Sequence, residues 1–519
     1  MTGTRRDFLR QVAAVGGYRA TYLTMQAMGL LTTAAIAEPL ALEKGAAHGT
    51  KIVILGAGVA GMSAAYELGK AGYDCTVLEA RERVGGRNWT VRRGTRLAMN
   101  DGTEQHCDFD AGLYWNAGPA RLPSHHQAVL GYCRELGVAL EVEVNTNRGA
   151  LLLNPNANGG KPVVMRQAIN DARGEISELL GKALKRGALD QEFTAQDKER
   201  MLAFLRQYGD LTPDHLYKGS ERSGYTTLPG AAEQVGVTRE PVPLNLLLDE
   251  DMWAGMLFEE AFDFQATMFQ PVGGMDSIPM AFAKKLGPVI RRSAEVTAIK
   301  RSAHGVSVTY RDTHDHKTHR IDAAYCLVTI PLKVLSAIEA DFSAPYRAAI
   351  ASVDYGNAVK LAWQAHRFWE TNDHIYGGIS WVKGPTSLVW YPSDRFFSEK
   401  GILLGAYTAR DSADDLAAKS LSDQFALSRA VIEEMHPGQG KALEKPMAIA
   451  WSKIPHSLGI AARWRPDQDP EYALLNQPDG PFYFAGEHLS HVGAWQEGAM
   501  LSSRRAINMI DQHRRSRHI

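Results

Sequence analysis

Short apolar runs and stretches of helical spacing alternate along this chain. Residues 52–55 and 73–78 are apolar runs of strand length, and the alanine-rich stretch between them has the spacing of a helix. A strand, a helix and a second strand in this order predict a βαβ unit with parallel strands. The later run 482–485 predicts another strand, followed by a helix that begins near Trp495. The pattern is typical of an α/β fold.

The middle of the chain has a different pattern. Residues 165–184 and 195–209 carry apolar side chains at helical spacing, which predicts a mainly helical segment. The stretch "NPNANGGKP", residues 154–162, is rich in asparagine, glycine and proline, and this composition predicts a loop that leads into the helices.

Three histidines lie close together in "RDTHDHKTHRID": His314, His316 and His319. Such a cluster can bind a metal ion. It lies, however, between the alternating pattern "GVSVTY" and the apolar pattern "AAYCLVTIP", both of which predict strands. The tip of a solvated hairpin accounts for the cluster better, and we predict no metal site.

The first 47 residues differ from the rest. "TRRDFLRQVAA" places Arg5 and Arg6 ahead of apolar residues, in the form of a twin-arginine export signal. A mostly apolar stretch follows, interrupted by Arg19, and residues 35–37 offer a small-residue cleavage site. Two hypotheses stay open: export to the periplasm or the medium, or a retained helix on a cytoplasmic protein. No segment predicts a permanent transmembrane helix.

Composition and charge narrow the function classes. A length of 519 residues predicts two or three domains. The net charge of −1 gives no reason to expect nucleic acid or an anionic membrane as a partner. The cysteines are far apart and predict neither a zinc site nor a disulfide framework; they are Cys75, Cys107, Cys133 and Cys326.

The βαβ unit carries the most informative motif. Residues 56–61, "GAGVAG", join the first strand to the helix, and Glu79 ends the second strand. Glycines in this turn let the backbone approach a pyrophosphate at a helix N-terminus, and the acid is placed for a ribose hydroxyl. The motif fits both NAD and FAD. The following "EARERVGGR" adds a second glycine turn between arginines, which suits a cofactor that extends across the domain, and the acid disfavours NADP.

With these segments the chain resembles the flavin-containing amine oxidase family, which includes monoamine, polyamine and L-amino acid oxidases. The resemblance covers nearly everything after residue 48. The resemblance also rests on the segments "PVGGMDSIPMAFAKKLG" and "AEVTAIKRSAHGVSVTY". The most specific match is "PFYFAGEHLSHVGAWQEGAMLSSRRAI".

The resemblance implies a Rossmann-like FAD-binding domain of the glutathione-reductase and amine-oxidase type, a mixed-sheet substrate domain and a helical insertion. The expected FAD-binding domain is discontinuous and comprises 48–95, 268–345 and 455–519. The substrate-binding domain comprises 96–160 and 346–454, and the helical domain 161–267. Residues 1–47 form the N-terminal segment.

The resemblance also implies which residues hold FAD. In this family they lie in the glycine turns, in the Gly-Pro segment near Arg121, at a backbone contact to adenine and at the C-terminal acid with its helix. In this sequence they are Gly56, Gly58, Ala60, Gly61, Glu79, Ala80, Arg81, Gly86, Arg87, Gly118, Pro119, Ala120, Arg121, Val296, Gly486, Glu487, Ala494 and Trp495.

Many members attach FAD covalently through a cysteine near the C-terminal third. Here Ile460 stands at about that position, Ala461 stands where a tyrosine of the amine cage would be, and no cysteine follows Cys326. We therefore expect noncovalent FAD.

The stretch "NAGPARLP" places Arg121 between Gly118, Pro119 and Pro123, and prolines stiffen the backbone. It resembles the L-amino acid oxidase branch, in which this arginine binds the substrate carboxylate. A planar guanidinium suits a carboxylate because it donates two parallel hydrogen bonds. The alternative is that Arg121 binds an FAD phosphate.

Further substrate ligands follow from the same branch. Tyr391 would share the carboxylate, the carbonyl of Ala494 would take the amino group, and Trp495 would form an aromatic wall; the alternative is that the aromatic residues are core. Lys360 matches the family lysine that holds a water near flavin N5, with a lysine that reaches solvent as the alternative. His125, His488 and His491 are candidate general bases, and His125 could instead cap the helix that follows it.

The resemblance thus implies an L-amino acid oxidase. Hydride transfer from Cα to flavin N5 would give an imino acid that hydrolyses to a 2-oxo acid and ammonia, and O2 would be reduced to hydrogen peroxide. The alternatives are a primary-amine or polyamine oxidase, an amino acid 2-monooxygenase that forms an amide, and a flavin-binding protein without turnover. The family also implies a homodimer.

Overall fold

The computed structural model describes residue 40 and residues 42–516. One of its sheets has five strands, all parallel. Its strands come from all three segments expected to form the FAD-binding domain. In spatial order they are Ile290–Arg291, Asp74–Leu78, Lys51–Leu55, Tyr325–Val328 and Phe482–Phe484.

The central strand shows why the apolar runs are continuous. Ile52 and Ile54 lie in one hydrophobic core, whereas Val53 and Leu55 lie in another on the opposite face of the sheet. A parallel strand covered on both faces needs apolar residues at every position. Helices Val59–Lys70, Ser277–Leu286 and Gln496–Ser516 cover the first face.

The second face of the parallel sheet packs against a smaller four-stranded sheet and short helices. The strands of that sheet are Thr318–Ala323, Gly305–Asp312, Ala294–Ser302 and Glu339–Ala340. A separate three-stranded sheet has, in spatial order, the strands Leu122–Pro123, Met268–Pro271 and Leu140–Glu143.

The expected mixed sheet has seven strands, and its two faces carry two further hydrophobic cores. All its neighbouring strands are antiparallel except one parallel pair, Leu151–Leu153 with Gly378–Val382. In spatial order the strands are Val163–Val164, Leu151–Leu153, Gly378–Val382, Leu388–Tyr391, Lys400–Ala409, Ala358–His366 and Glu444–Ala450.

Four two-stranded ribbons complete the strands. They are Thr90–Arg92 with Tyr114–Asn116, Arg96–Ala98 with Glu104–His106, Asp354–Gly356 with Ala461–Arg463, and Tyr225–Thr227 with Val237–Thr238. The remaining α-helices are Gln127–Leu136, Met165–Lys185, Ala195–Tyr208, Leu244–Leu247, Glu250–Met256, Phe262–Gln265, Leu332–Leu335, Ala344–Ser352, Phe368–Thr371, Asp411–Ala417, Leu421–Met435 and Asp469–Leu475.

The βαβ unit, both long helices of the insertion and the C-terminal helix lie where the sequence predicts them. The domain boundaries stay a prediction. Strand Val163–Val164 pairs with Leu151–Leu152 in the mixed sheet, although its residues fall in the range expected for the helical domain.

The histidine cluster is only partly a hairpin tip. His314 and His316 lie in the turn between two strands, but His319 lies within the returning strand Thr318–Ala323 and stacks on Tyr310 with ring centroids 5.2 Å apart. The sequence pattern missed this strand because it is polar and exposed.

The twin-arginine-like stretch lies outside the described residues. Within residue 40 and residues 42–516, no helix combines the length and the apolar character that crossing a bilayer requires.

Candidate active site

One cavity of about 840 Å³ runs along the carboxyl ends of the parallel strands. Four residues that follow directly after strands, or within two residues of them, line it: Gly56, Glu79, Thr329 and Gly486. This is where open α/β sheets bind ligands. From there the cavity reaches the mixed sheet, where Lys360 and Tyr407 line its other end.

The first glycine turn is shaped by close contacts. A Cβ atom on Gly61 would lie 2.0 Å from the Gly56 carbonyl oxygen, whereas a Cβ on Gly58 would meet no atom within 4 Å. Gly58 lines the cavity and Gly61 does not. Gly61 therefore acts by letting the helix approach the strand, and Gly58 leaves room for a ligand at the helix N-terminus.

Glu79 stabilises this turn through hydrogen bonds. Its Oε2 accepts a hydrogen bond from the Ala57 amide at 2.9 Å, and its Oε1 accepts one from the Arg81 amide at 3.1 Å. Arg81 in turn donates through Nη2 to the Ser457 hydroxyl at 2.8 Å. The acid thus lies at the cavity wall with its carboxylate oriented by backbone amides.

Glu487 organises the opposite part of the cavity. It accepts hydrogen bonds from Arg87 Nη1 at 2.8 Å and from the Ala494 amide at 3.2 Å. Burial is the largest influence and raises the pKa of the Glu487 carboxyl. Arg87, with smaller contributions from His488 and the Ala494 amide, nevertheless brings that pKa below its ordinary value. Ala494 has a φ of +65°, an uncommon conformation for a residue other than glycine. The charged pair holds this bend next to the C-terminal helix.

A flavin fits these residues, because the glycine turn leaves open space at a helix N-terminus and the cavity continues without interruption from Glu79 to Lys360. All predicted cofactor ligands except Gly61 line it, as do Lys360 and Ile460. No cysteine of the described chain is among the lining residues, which agrees with noncovalent binding.

Arg121 is presented by a segment that requires its glycine. A Cβ atom on Gly118 would lie 1.9 Å from the Arg87 carbonyl oxygen. The chain then turns past Pro119 so that the Arg121 guanidinium enters the cavity, where Nη1 donates to Asn145 Oδ1 at 2.6 Å. A guanidinium has five N–H donors, so this bond leaves others for a ligand.

Aromatic rings surround the same guanidinium. Its Cζ lies 4.6 Å from the ring centroids of both Phe264 and Trp390, and 5.4 Å from that of Phe258. Phe264 and Trp390 line the cavity. Low-dielectric walls strengthen an ion pair formed by the guanidinium, so the arrangement favours a small anion at this end.

Lys360 is almost completely buried, with 4% of its surface exposed. Its Nζ donates to the Gly118 carbonyl oxygen at 2.5 Å and lies 4.6 Å from the Tyr407 ring centroid. Burial, with Arg121 as the second cause, lowers the pKa of the Lys360 ammonium to about 7. Lys360 thus lines the cavity and does not reach solvent, and its role beside the flavin stays a prediction.

Tyr391 is not brought to the main cavity. It lies in a different core from Trp390, because neighbouring residues of strand Leu388–Tyr391 point to opposite faces of the sheet. Its hydroxyl is 2.8 Å from both Ser380 Oγ and His436 Nε2. Trp390 and Tyr407 occupy the cavity wall instead, and the sequence analysis missed both.

The candidate general bases also lie outside the cavity lining. His125 Nε2 is 2.9 Å from Asp263 Oδ1. It does not cap the following helix, whose first amides are instead met by Glu497, which accepts from the amides of Ala128 and Val129 at 2.9 Å each. Burial lowers the pKa of His488 to about 4, so this ring is neutral.

Trp495 lines the cavity and lies close to His126 and to a short helix. Its ring centroid lies 5.0 Å from that of His126 and 6.3 Å from that of Phe264. Phe264 belongs to helix Phe262–Gln265, which Asp263 links to His125. This helix covers the end of the cavity at which Arg121 lies.

A cavity of this shape, with a dinucleotide turn at one end and a buried lysine and arginine at the other, defines a flavin-dependent oxidoreductase. Residues 59–508 match the family model described as flavin containing amine oxidoreductase. The chain belongs to this family, and its cofactor is FAD.

Relatives with curated descriptions have similar length. The chain is 27% identical over 486 residues to an L-amino-acid oxidase of Pseudechis australis, covering 89% of this chain and 87% of that protein. It is 28% identical over 478 residues to an L-amino-acid oxidase of Siganus canaliculatus, covering 89% and 85%. Among solved structures, wild-type putrescine oxidase bound to putrescine aligns with a TM-score of 0.61 at 17% identity, over 89% of this chain and 99% of that one, which shows the shared fold.

Proposed function

We propose that this protein is an L-amino acid oxidase that converts L-amino acids, water and O2 to 2-oxo acids, ammonia and hydrogen peroxide. The observation that carries the proposal is the Arg121 guanidinium, held in the cavity by Asn145 and enclosed by Phe264 and Trp390. Relatives described as L-amino-acid oxidases support it.

The chain's own residues bind and orient the substrate in this proposal. Arg121 binds the carboxylate through the donors that Asn145 leaves free, and Trp495 forms a wall of the same cavity. Lys360 fixes the Gly118 carbonyl and thereby the segment that carries Arg121. The chemistry that FAD would supply when bound is acceptance of a hydride from the substrate α-carbon, with O2 as the final electron acceptor. Fixing the carboxylate against a rigid wall supplies orientation, a large part of such rate enhancements.

Charge disfavours a diamine or polyamine as substrate. Arg121 and Lys360 both lie at the end of the cavity reached from the mixed sheet, and a second cationic group on the substrate would be repelled by Arg121. Putrescine oxidase shares the fold at 17% identity, which does not carry substrate choice.

A peroxide assay across the L-amino acids, their D-forms and simple amines tests the proposal. We expect peroxide from L-amino acids, with 2-oxo acid and ammonia in equal amounts. Peroxide from simple amines alone would replace the proposal with an amine oxidase. An amide with carbon dioxide in place of 2-oxo acid would identify a monooxygenase.

Location and assembly are further proposals. The paired arginines Arg5 and Arg6 support export, and R5K/R6K in the native host should retain the full-length protein in the cytoplasm; an unchanged distribution would contradict export.

Family resemblance supports a homodimer, which sedimentation equilibrium of the purified protein would test; a mass of 57.0 kDa would contradict it.

A further inference from the structure

A buried carboxyl group lies behind the wall of the proposed substrate site. Glu143 ends strand Leu140–Glu143 and is 4% exposed. Its Oε1 accepts a hydrogen bond from Trp390 Nε1 at 3.2 Å. Its Oε2 is buried and has no hydrogen-bond partner among the described residues. A buried carboxylate with one unpaired oxygen is costly unless it binds water, faces a cation or takes a proton.

Glu143 and Arg121 share two neighbours. The Trp390 ring that donates to Glu143 lies 4.6 Å from the guanidinium carbon of Arg121. Asn145, which accepts from Arg121, follows Glu143 by two residues. The Arg121 guanidinium is the cation that acts on this carboxyl. Burial raises the pKa of Glu143 to about 7, and the guanidinium partly offsets that rise.

A second, small cavity of about 70 Å³ lies beside the main one. Glu143 lines the small cavity, while Lys360, Ala120 and Trp390 line both cavities. Its volume suffices for one or more water molecules, which need polar partners. Glu143 and Lys360 supply them. Lys360 thus borders both the proposed substrate site and the small cavity that Glu143 lines.

The other ionisable groups around this small cavity are few. Burial raises the pKa of Tyr114, Tyr391 and Asp394, which line it, so both tyrosines stay neutral near pH 7. Glu141 lies on the same strand and accepts a hydrogen bond from Gln270 at 2.9 Å.

Substrate binding would disturb this balance in a defined way. An amino acid arrives as a zwitterion, and its ammonium group has to lose a proton before the α-carbon can be oxidised. Its carboxylate also places a second negative charge against Arg121. A single buried guanidinium would then face two carboxylates, one of which is destabilised.

We propose that Glu143 takes up the proton that the substrate ammonium loses, so that the substrate carboxylate replaces Glu143 as the counter-ion of Arg121. The N–H bond of the substrate breaks, an O–H bond forms on Glu143, and the charge of the site is unchanged. Lys360 and water in the small cavity carry the proton. The inference rests on the proposed function, because it requires a substrate carboxylate at Arg121.

The test is a proton count on the holoenzyme. 3-Phenylpropanoate carries a carboxylate but no amino group, so its binding brings no proton. Titration calorimetry at pH 8, in two buffers of different ionisation enthalpy, measures protons taken up per ligand bound. We expect uptake approaching one proton or more for the wild type and for the matched control E141Q, and clearly less for E143Q, which keeps the side-chain shape; uptake that remains in E143Q belongs to Lys360, whose pKa is also about 7.

The possible outcomes separate the two claims. Binding to the wild type without proton uptake, or equal uptake by E143Q, would overturn the role of Glu143 while leaving the carboxylate site intact. No binding to the wild type would overturn the carboxylate site itself and the proton uptake with it. If E143Q loses FAD, absence of proton uptake by the wild type still overturns the proposal, and the pH profile of the wild type against K360M separates Glu143 from Lys360. A second readout is the pH profile of kcat/KM for an amino acid, in which E143Q should lose one ionisation near pH 7 and keep that of Lys360.

Discussion

The Nη1 atom of Arg121 donates a hydrogen bond of 2.6 Å to the side-chain oxygen of Asn145. This bond fixes the direction of a guanidinium whose Cζ lies 4.6 Å from the ring centroids of both Phe264 and Trp390. Carboxylate recognition depends on such orientation. Several expected outcomes follow from it and from the surrounding contacts.

Removal of the guanidinium should abolish amino acid binding while FAD stays bound. R121A loses two charge-assisted hydrogen bonds to the substrate, each worth about 1.5–3 kcal/mol, so we expect KM to rise at least about 100-fold. Steady-state kinetics with a flavin absorbance spectrum checks this. R320A, at an exposed arginine paired with Asp322, is the control. Loss of FAD from R121A would mean that Arg121 binds the cofactor.

Removal of the orienting amide should weaken binding less. N145A leaves the charge of Arg121 in place but frees its orientation, and we expect KM to rise about 10-fold with kcat nearly unchanged, since one bond to a charged group is lost. The control is N156A, at an exposed loop position. Equal KM values in N145A and the wild type would contradict the orienting role.

Lys360 should make stability depend on pH. Its pKa in the folded protein is about 7 and its ordinary value is 10.5, so between these values the unfolded chain binds a proton that the folded chain does not. The free energy of unfolding therefore rises with pH over this range. Relative to K360M, the Tm of the wild type should rise by about 2 °C or more from pH 7 to pH 10. Parallel Tm profiles would show that Lys360 is not perturbed.

The glycine before Arg121 should tolerate no side chain. In G118A the added methyl would collide with the Arg87 carbonyl oxygen at 1.9 Å, which displaces the segment and its arginine. We expect loss of FAD or of soluble protein, measured by flavin content after purification. G131A is the matched control, because a Cβ there meets no atom within 4 Å in helix Gln127–Leu136, and alanine favours helices. A normal flavin content in G118A would contradict the packing argument.

The cofactor end of the site could be predicted from sequence because it depends on local patterns. The glycine turn, Glu79 and the C-terminal helix lie within continuous motifs whose geometry follows from a strand and a helix. Thr329 also lines the cavity, and its place just after an apolar strand was the available signal, since ligands bind at the carboxyl ends of parallel strands.

The substrate end depends on long-range packing that sequence patterns do not contain. Tyr407 faces the cavity because it lies directly opposite Lys360 across antiparallel strands, and this register cannot be derived without knowing the strand order. The family resemblance predicts Tyr391 in the substrate site, whereas Trp390 lines the cavity. The two residues are neighbours in one strand, and neighbouring side chains face opposite sides of the sheet. Glu143 ends a strand of the three-stranded sheet, and Asn145 lies two residues beyond that strand, where it contacts Arg121.

The central claim is that Arg121 selects a substrate with a carboxylate. The most direct measurement compares each amino acid with the amine that lacks only that group, by anaerobic stopped-flow bleaching of the flavin absorbance. Suitable pairs are L-phenylalanine with 2-phenylethylamine, L-leucine with 3-methylbutylamine, and L-lysine with 1,5-diaminopentane. We predict bleaching at least 100-fold faster by an L-amino acid than by its amine, and loss of this preference in R121A. Equal or faster bleaching by the amines in the wild type would contradict the account.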